Sequence, residues 1–132
     1  VAGAIAAGAD LAYMGTRFIA TLESMAVPDY KQMIVDANVE DLVVSAGVTG
    51  TPASWLKPSL RRVGLDPDAM PPKPPRHYDS ATPGPRQWKD VWGAGQGVGA
   101  VKTIEPVSSV VATLSREYDA ALARMASLTP KR

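Results

Sequence analysis

The sequence predicts an α/β fold that is incomplete on its own, for three reasons. A helix of small residues over 1–8 leads through a tight turn into a short apolar segment at residues 11–14, which is half of a βαβ unit. The whole chain shows about four helical patterns but only two or three strand patterns. So few strands cannot cover the apolar helix faces. Either another chain completes the fold, or these residues are the C-terminal part of a larger domain.

Length and composition narrow the classes of function. A chain of 132 residues suffices for one domain but not for two ordinary ones. With 20% charged residues and a net charge of +1, it offers no electrostatic argument for binding nucleic acid or a charged membrane. The absence of cysteine and the single histidine argue against disulfides and a zinc site. The apolar start is interrupted by Asp10 and lacks a basic n-region, so we expect a cytoplasmic protein.

The first third of the chain is predicted to contain a strand and a second helix. Leu11 and Tyr13 predict a short buried strand that ends at Gly15 and Thr16. Glu23 and Ser24, or alternatively Pro28, then open a helix. Its apolar stripe consists of Tyr30, Met33, Ile34 and Ala37.

The remaining elements follow from β-branched runs, prolines and helical periodicity. Residues 41–50 predict a strand, residues 53–57 a return strand, and residues 58–63 a short amphipathic helix that stops at Gly64. Seven prolines in residues 66–86 predict an extended surface strap. A long final helix over 106–126 has one apolar face, made of Val107, Val110, Val111, Leu114, Tyr118, Leu122 and Met125.

Residues 95–100, "GQGVGA", match the dinucleotide-binding pattern G-x-G-x-x-G/A. That pattern binds a dinucleotide when it lies between a buried strand and a helix. The preceding "PGPRQWKD" is broken by prolines and charged, which is unsuitable for a buried parallel strand. We therefore expect these glycines to form a tight loop with another purpose.

Two stretches, "GADLAYMGTRFIATLES" and "QWKDVWGAGQGVGAVKTIEPVSSVVATL", resemble the C-terminal region of the nitronate monooxygenases, formerly called 2-nitropropane dioxygenases. Tyr30-Lys31-Gln32 and the turn from Thr49 to Pro52 also resemble segments of that family. Its members are FMN-dependent (β/α)8-barrel enzymes. Related FMN barrels, including quinone reductases and flavin-type enoyl reductases, carry similar pieces.

The resemblance implies that the chain is the C-terminal part of a TIM barrel, with residues 11–14 as the eighth strand. We expect four segments: 1–26, the end of the barrel with a phosphate loop; 27–65, a helix and a strand hairpin; 66–86, the strap; and 87–132, the glycine loop and final helix. A complete gene product of this kind would have about 300 residues or more.

The resemblance also implies a cofactor, FMN. Backbone N–H groups at Gly15 and Thr16 would bind its phosphate, with the Thr16 hydroxyl as a further donor and Arg17 as added charge. Tyr13 and Met14 at the strand end, and Gln96 in the glycine loop, complete the expected cofactor-binding set. From the residues alone, two simpler interpretations stay open: a plain turn at residues 15–16, and a Gln96 that only packs under the final helix.

No residue of the chain is predicted to be catalytic. The catalytic histidine of the family belongs to a segment upstream of this strand, and His77, between proline clusters, is expected to be exposed and inert. No metal site is expected. We interpret four acidic residues as helix caps or solvated charges: Asp10, Asp41, Glu105 and Glu117. We interpret the three tryptophans as packing aromatics rather than residues that stack on the flavin: Trp55, Trp88 and Trp92.

The function that the resemblance implies is FMN-dependent oxidation of alkyl nitronates by O2 to a carbonyl compound and nitrite. An FMN-dependent NAD(P)H:quinone or enoyl reductase on the same barrel is the near alternative. A non-catalytic interaction or structural module is the alternative of another class. The expected partners are a small-molecule substrate, O2 and the rest of the barrel from the same gene product, and a homo-oligomer stays open.

Overall fold

Short helices and one hairpin precede a long final helix in the computed structural model, which describes residues 1–72 and 89–128. The strands are β1 (Leu42–Ser45) and β2 (Ala53–Leu56). The helices are α1 (Ala2–Ala6), α2 (Thr16–Ile19), α3 (Pro28–Asp36), α4 (Lys57–Arg62) and α5 (Val107–Leu128), with short 3-10 helices at Val39–Asp41 and Gln96–Ala100.

The predicted strand and return strand form an antiparallel hairpin. Leu42 lies opposite Leu56, and Ser45 lies opposite Ala53. The segment around Trp92 continues this sheet on the free side of β2. Trp92 O accepts a hydrogen bond from Leu56 N–H at 3.0 Å, and Ala94 N–H donates to the carbonyl of Ser54 at 3.3 Å. These bonds fix the position of residues 92–94 against the hairpin.

Two clusters of buried side chains form the core of the described residues. The first consists of Ala20, Ile34, Ala37, Leu56, Trp92, Ala94, Val98 and Val101. The second consists of Trp55, Leu60 and Val91. Neighbours in sequence therefore contribute to different clusters, because successive side chains of an extended chain point to opposite faces.

The helices from α3 onward confirm the sequence predictions. Pro28, rather than Glu23, begins α3, and Ile34 and Ala37 of its stripe are buried. The α4 helix ends before Gly64, which has a positive φ of 79°. Glu23 has another role, because its carboxylate accepts a hydrogen bond from Val107 N–H at the start of α5.

Residues 11–14 differ from the prediction of a buried strand. They are assigned to no strand, and Leu11 and Tyr13 are 88% and 99% exposed. A strand needs a neighbour to complete its ladder of hydrogen bonds, and no described segment pairs with these residues. Residues 73–88 lie outside the described part of the chain. This range contains most of the strap predicted at 66–86, as well as His77 and Trp88.

We predict that Gly93→Ala destabilises the protein and that Gly97→Ala does not. A Cβ at Gly93 would lie 2.5 Å from the Ser54 carbonyl oxygen, whereas no atom lies within 4 Å of a Cβ at Gly97. The clash forces the backbone apart and should lower the free energy of unfolding by roughly 1 to 3 kcal/mol. Denaturant unfolding of the two variants measures this, and equal stabilities would contradict the prediction.

Candidate functional site

The two glycine-containing segments singled out in the sequence meet in the structure. Gly95 N–H donates a hydrogen bond of 2.8 Å to Thr16 Oγ, although the residues are 79 positions apart. A side chain at Gly95 would begin 3.5 Å from that oxygen, so the contact is close. The structure therefore places the glycine loop beside residues 15–16. The dinucleotide-like pattern opens into a 3-10 helix, Gln96–Ala100, instead of the α-helix that a dinucleotide turn requires.

Unpaired backbone donors mark the start of α2. Gly15 is the residue that precedes this helix, and no described residue accepts a hydrogen bond from the N–H groups of Gly15, Thr16 or Arg17. No atom lies within 4 Å of a Cβ at Gly15, so the space beside these donors is open. Gly15 has a φ of −104°, which means that a left-handed conformation is not the reason for a glycine here.

Arg17 and Glu105 form an ion pair across the same region. Both side chains are largely buried, with 17% and 24% of their surfaces exposed. Glu105 is thus neither a helix cap nor a solvated charge, and that prediction was wrong. Its backbone also accepts a hydrogen bond from Leu22 N–H at 3.1 Å. Arg17 Nη1 is buried without a hydrogen-bond partner among the described residues, so one of the three guanidinium nitrogens has no acceptor there.

The other residues expected at the site lie apart from these contacts. Tyr13 is fully exposed, and Met14 is half-buried. Gln96 is exposed at the start of its 3-10 helix, and its amide has no hydrogen-bond partner among the described residues. The roles of Tyr13, Met14 and Gln96 in cofactor binding therefore stay predictions.

Trp92 is the centre of an aromatic clamp that positions the glycine loop. Tyr30 stacks on its ring, with centroids 5.0 Å apart and planes inclined by 15°. The Tyr30 hydroxyl donates to the carbonyl of Gly93 at 2.6 Å. Arg62 lies 3.5 Å from the centre of the Trp92 ring. The sequence identified Trp92 as a packing residue, but Tyr30 only as part of a helix stripe, since nothing local indicates a partner 63 residues away.

The remaining acidic residues behave mostly as predicted. Asp41 caps a turn by accepting a hydrogen bond from Asn38 N–H at 2.9 Å, and Asp10 and Glu117 are exposed. Trp55 and Trp92 are buried packing aromatics.

Within residues 1–72 and 89–128, no group of three or more His, Cys, Asp or Glu side chains is arranged to hold a metal ion. None of the described helices is both long and apolar enough to cross a membrane.

The model of the nitronate monooxygenase family matches residues 1–70. The chain belongs to this family. The matched part includes Gly15, Thr16, Arg17 and the Tyr30 helix, whereas the glycine loop lies outside it. A search of the curated proteins found no match.

Solved structures extend the likeness to nearly the whole chain. A point mutant of FabK from Thermotoga maritima is 26% identical, with a TM-score of 0.67, over 97% of this chain and 40% of that one. Another structure of FabK from the same organism is 23% identical, with a TM-score of 0.67, over 97% of this chain and 43% of that one. The chain thus spans about two fifths of the length of these proteins. Its fold is α/β, the C-terminal part of a TIM barrel.

We predict that Glu105→Ala lowers the free energy of unfolding by roughly 1 to 3 kcal/mol, because it leaves the Arg17 guanidinium buried without its acceptor. Glu117→Ala is the matched control, since Glu117 is exposed on α5 and should change stability by less than about 0.5 kcal/mol. Thermal and denaturant unfolding provide the comparison. A Glu105→Ala protein as stable as the control would show that the ion pair contributes nothing.

Proposed function

We propose that this chain is part of an FMN-dependent oxidoreductase and that the start of α2 binds the phosphate of the cofactor. The observation that carries the proposal is the hydrogen bond between Gly95 N–H and Thr16 Oγ, which brings the glycine loop to the open space beside Gly15. Membership of the nitronate monooxygenase family supports the choice of cofactor. Barrel enzymes commonly bind phosphate at the ends of their last strands, next to a helix N-terminus.

The chemistry of the residues present fits a phosphate. Three successive N–H groups, those of residues 15–17, have no described acceptor and provide donors for an anion. The Thr16 oxygen already accepts from Gly95, which leaves the hydroxyl hydrogen to be donated. Arg17 Nη1 adds a buried cationic donor without a described partner, while the paired Glu105 balances part of its charge.

We further propose that the complete enzyme oxidises alkyl nitronates with O2 to a carbonyl compound and nitrite. Bound FMN supplies the electron transfer in such a reaction. The part played by this chain is to hold the phosphate end and to present the exposed Gln96 amide for orienting the flavin or the substrate. The base is proposed to come from the rest of the barrel. A cytoplasmic location agrees with a chain that contains no cysteine.

The exposed segment before α2 supports a partner from the same gene product. Leu11 and Tyr13 are large apolar or aromatic side chains with at least 88% of their surfaces exposed. We propose that residues 11–14 become the eighth barrel strand when the neighbouring barrel strands pair with them. Burying these side chains would then contribute roughly 1.5 to 3 kcal/mol each.

A second candidate is an FMN-dependent NAD(P)H:quinone or enoyl reductase on the same barrel. The observation that favours it is the likeness to FabK, which covers 97% of the chain and so includes the glycine loop beyond the family match. Both candidates use the same phosphate-binding residues, and they differ in what reduces the flavin.

We predict that Gly15→Val in the full-length protein lowers FMN occupancy, since a branched side chain would fill the space beside the unpaired N–H groups. Gly3→Val is the matched control, because a Cβ at Gly3 also meets no atom within 4 Å but lies in α1. The flavin absorbance of each protein after gel filtration measures occupancy. Equal occupancy in both variants would argue against the site. A wild-type protein that takes up no FMN would favour the non-catalytic module.

We predict that a small alkyl nitronate reduces the flavin of the wild-type protein rapidly in the absence of O2. NADH or NADPH should reduce it slowly. Stopped-flow absorbance at the flavin bands follows both reactions. Nitrite release in air then identifies the oxidation product. The reverse order of reduction rates would assign the enzyme to the reductases.

A further inference from the structure

A path of contacts leads from Tyr30 on α3 to the hydroxyl of Thr16. We propose that Tyr30 is a positioning residue, which holds the glycine loop so that Gly95 N–H orients the Thr16 hydroxyl toward the cofactor phosphate. This inference rests on the proposed function, because Thr16 matters to the reaction only if the phosphate binds there. It assigns to the glycine loop an indirect role through Thr16.

The first step of the path is the contact between Tyr30 and Gly93. The Tyr30 hydroxyl donates to the Gly93 carbonyl at 2.6 Å, and its ring stacks on Trp92 at 5.0 Å. Burial raises the pKa of the Tyr30 phenol above its ordinary value. The hydroxyl is therefore a protonated donor throughout the neutral range. The stack fixes the ring, and the hydrogen bond connects that ring to the backbone of the loop.

The second step runs along the backbone from Gly93 to Gly95. Ala94 N–H is bonded to the Ser54 carbonyl at 3.3 Å, so little freedom remains between the two glycines. Gly95 N–H then reaches Thr16 Oγ at 2.8 Å. A hydroxyl that accepts one hydrogen bond in a fixed direction has its own hydrogen restricted to the remaining directions. Preorganisation of this kind increases affinity by removing an ordering cost from binding.

A purely structural role for the Tyr30 hydroxyl is the competing explanation. Trp92 is already held by two other hydrogen bonds. Its backbone N–H donates to Ser59 Oγ at 2.7 Å, and its indole N–H donates to the Lys89 carbonyl at 3.0 Å. Tyr30→Phe keeps the stacked ring and removes only the bond to Gly93. The substitution therefore separates the position of the loop from the packing of the core.

The test is a double-mutant cycle on FMN affinity in the full-length protein. Tyr30→Phe and Thr16→Val should each weaken FMN binding by roughly fivefold to tenfold, the effect of losing one hydrogen bond. The double variant should bind about as weakly as Thr16→Val alone, because both changes remove the same contribution. Thr16→Ser, which keeps the hydroxyl, should restore most of the affinity and the dependence on Tyr30. Independent, multiplicative losses in the cycle would overturn the proposal.

Tyr118→Phe is the matched control, since Tyr118 is half-buried on α5 and its hydroxyl has no hydrogen-bond partner among the described residues. It should leave FMN affinity unchanged. If Tyr30→Phe binds FMN as tightly as Tyr118→Phe does, Tyr30 is not a positioning residue.

Hydrogen exchange of the Gly95 amide in the cofactor-free protein gives a readout that does not depend on FMN. Tyr30→Phe should speed this exchange several-fold, whereas Tyr118→Phe should not. An unchanged Gly95 rate in Tyr30→Phe would overturn the proposed path. If Tyr30→Phe speeds the exchange of the Gly95 amide but the wild-type protein binds no FMN, the path is supported and the proposed function is overturned.

Discussion

The placement of the extended segment at residues 91–95 between two core clusters is the constraint on which the described structure depends. Val91 packs with Trp55 and Leu60, whereas Trp92 packs with α3 and the last turn of α2. The backbone of the same segment is hydrogen-bonded to β2, which fixes its position against the hairpin. As a result, Gly95 at the end of the segment lies within hydrogen-bonding distance of Thr16, with its N–H 2.8 Å from Thr16 Oγ. The proposed phosphate site would thus be supported by a regular element of the fold.

Elements with a local signal were predicted well from the sequence. The Pro28 start and apolar stripe of α3, the hairpin, the Gly64 stop after α4 and the 22 residues of α5 all appear close to their expected positions. Each of them depends on residues within a few positions of one another, where periodicity and turn chemistry are visible. Membership of the family was also predicted from the sequence, because the segments from Met14 to Phe18 and from Trp92 to Gly99 resemble the family in combination.

What the sequence did not predict depends on distant partners. Glu105 looked like a solvated charge because its partner, Arg17, lies 88 residues earlier. Leu11 and Tyr13 looked buried because an apolar run predicts a strand, yet burial requires a neighbour that no described residue provides. The resemblance to the family predicted a glycine loop near the cofactor pocket, but it did not predict the hydrogen bond between Gly95 and Thr16. Contacts between residues so far apart along the chain produce no periodic pattern in a single sequence.

The open surroundings of Gly97 offer a place from which the proposed ligand binding at Thr16 can be tested. A side chain there meets no atom within 4 Å, and Gly97 is two residues from the amide that contacts Thr16. The chain contains no cysteine, so a single cysteine introduced at that position would be the one thiol of this segment available to a maleimide dye. Fluorescence from such a dye would report the local environment of the loop, and do so without relying on the absorbance of any cofactor.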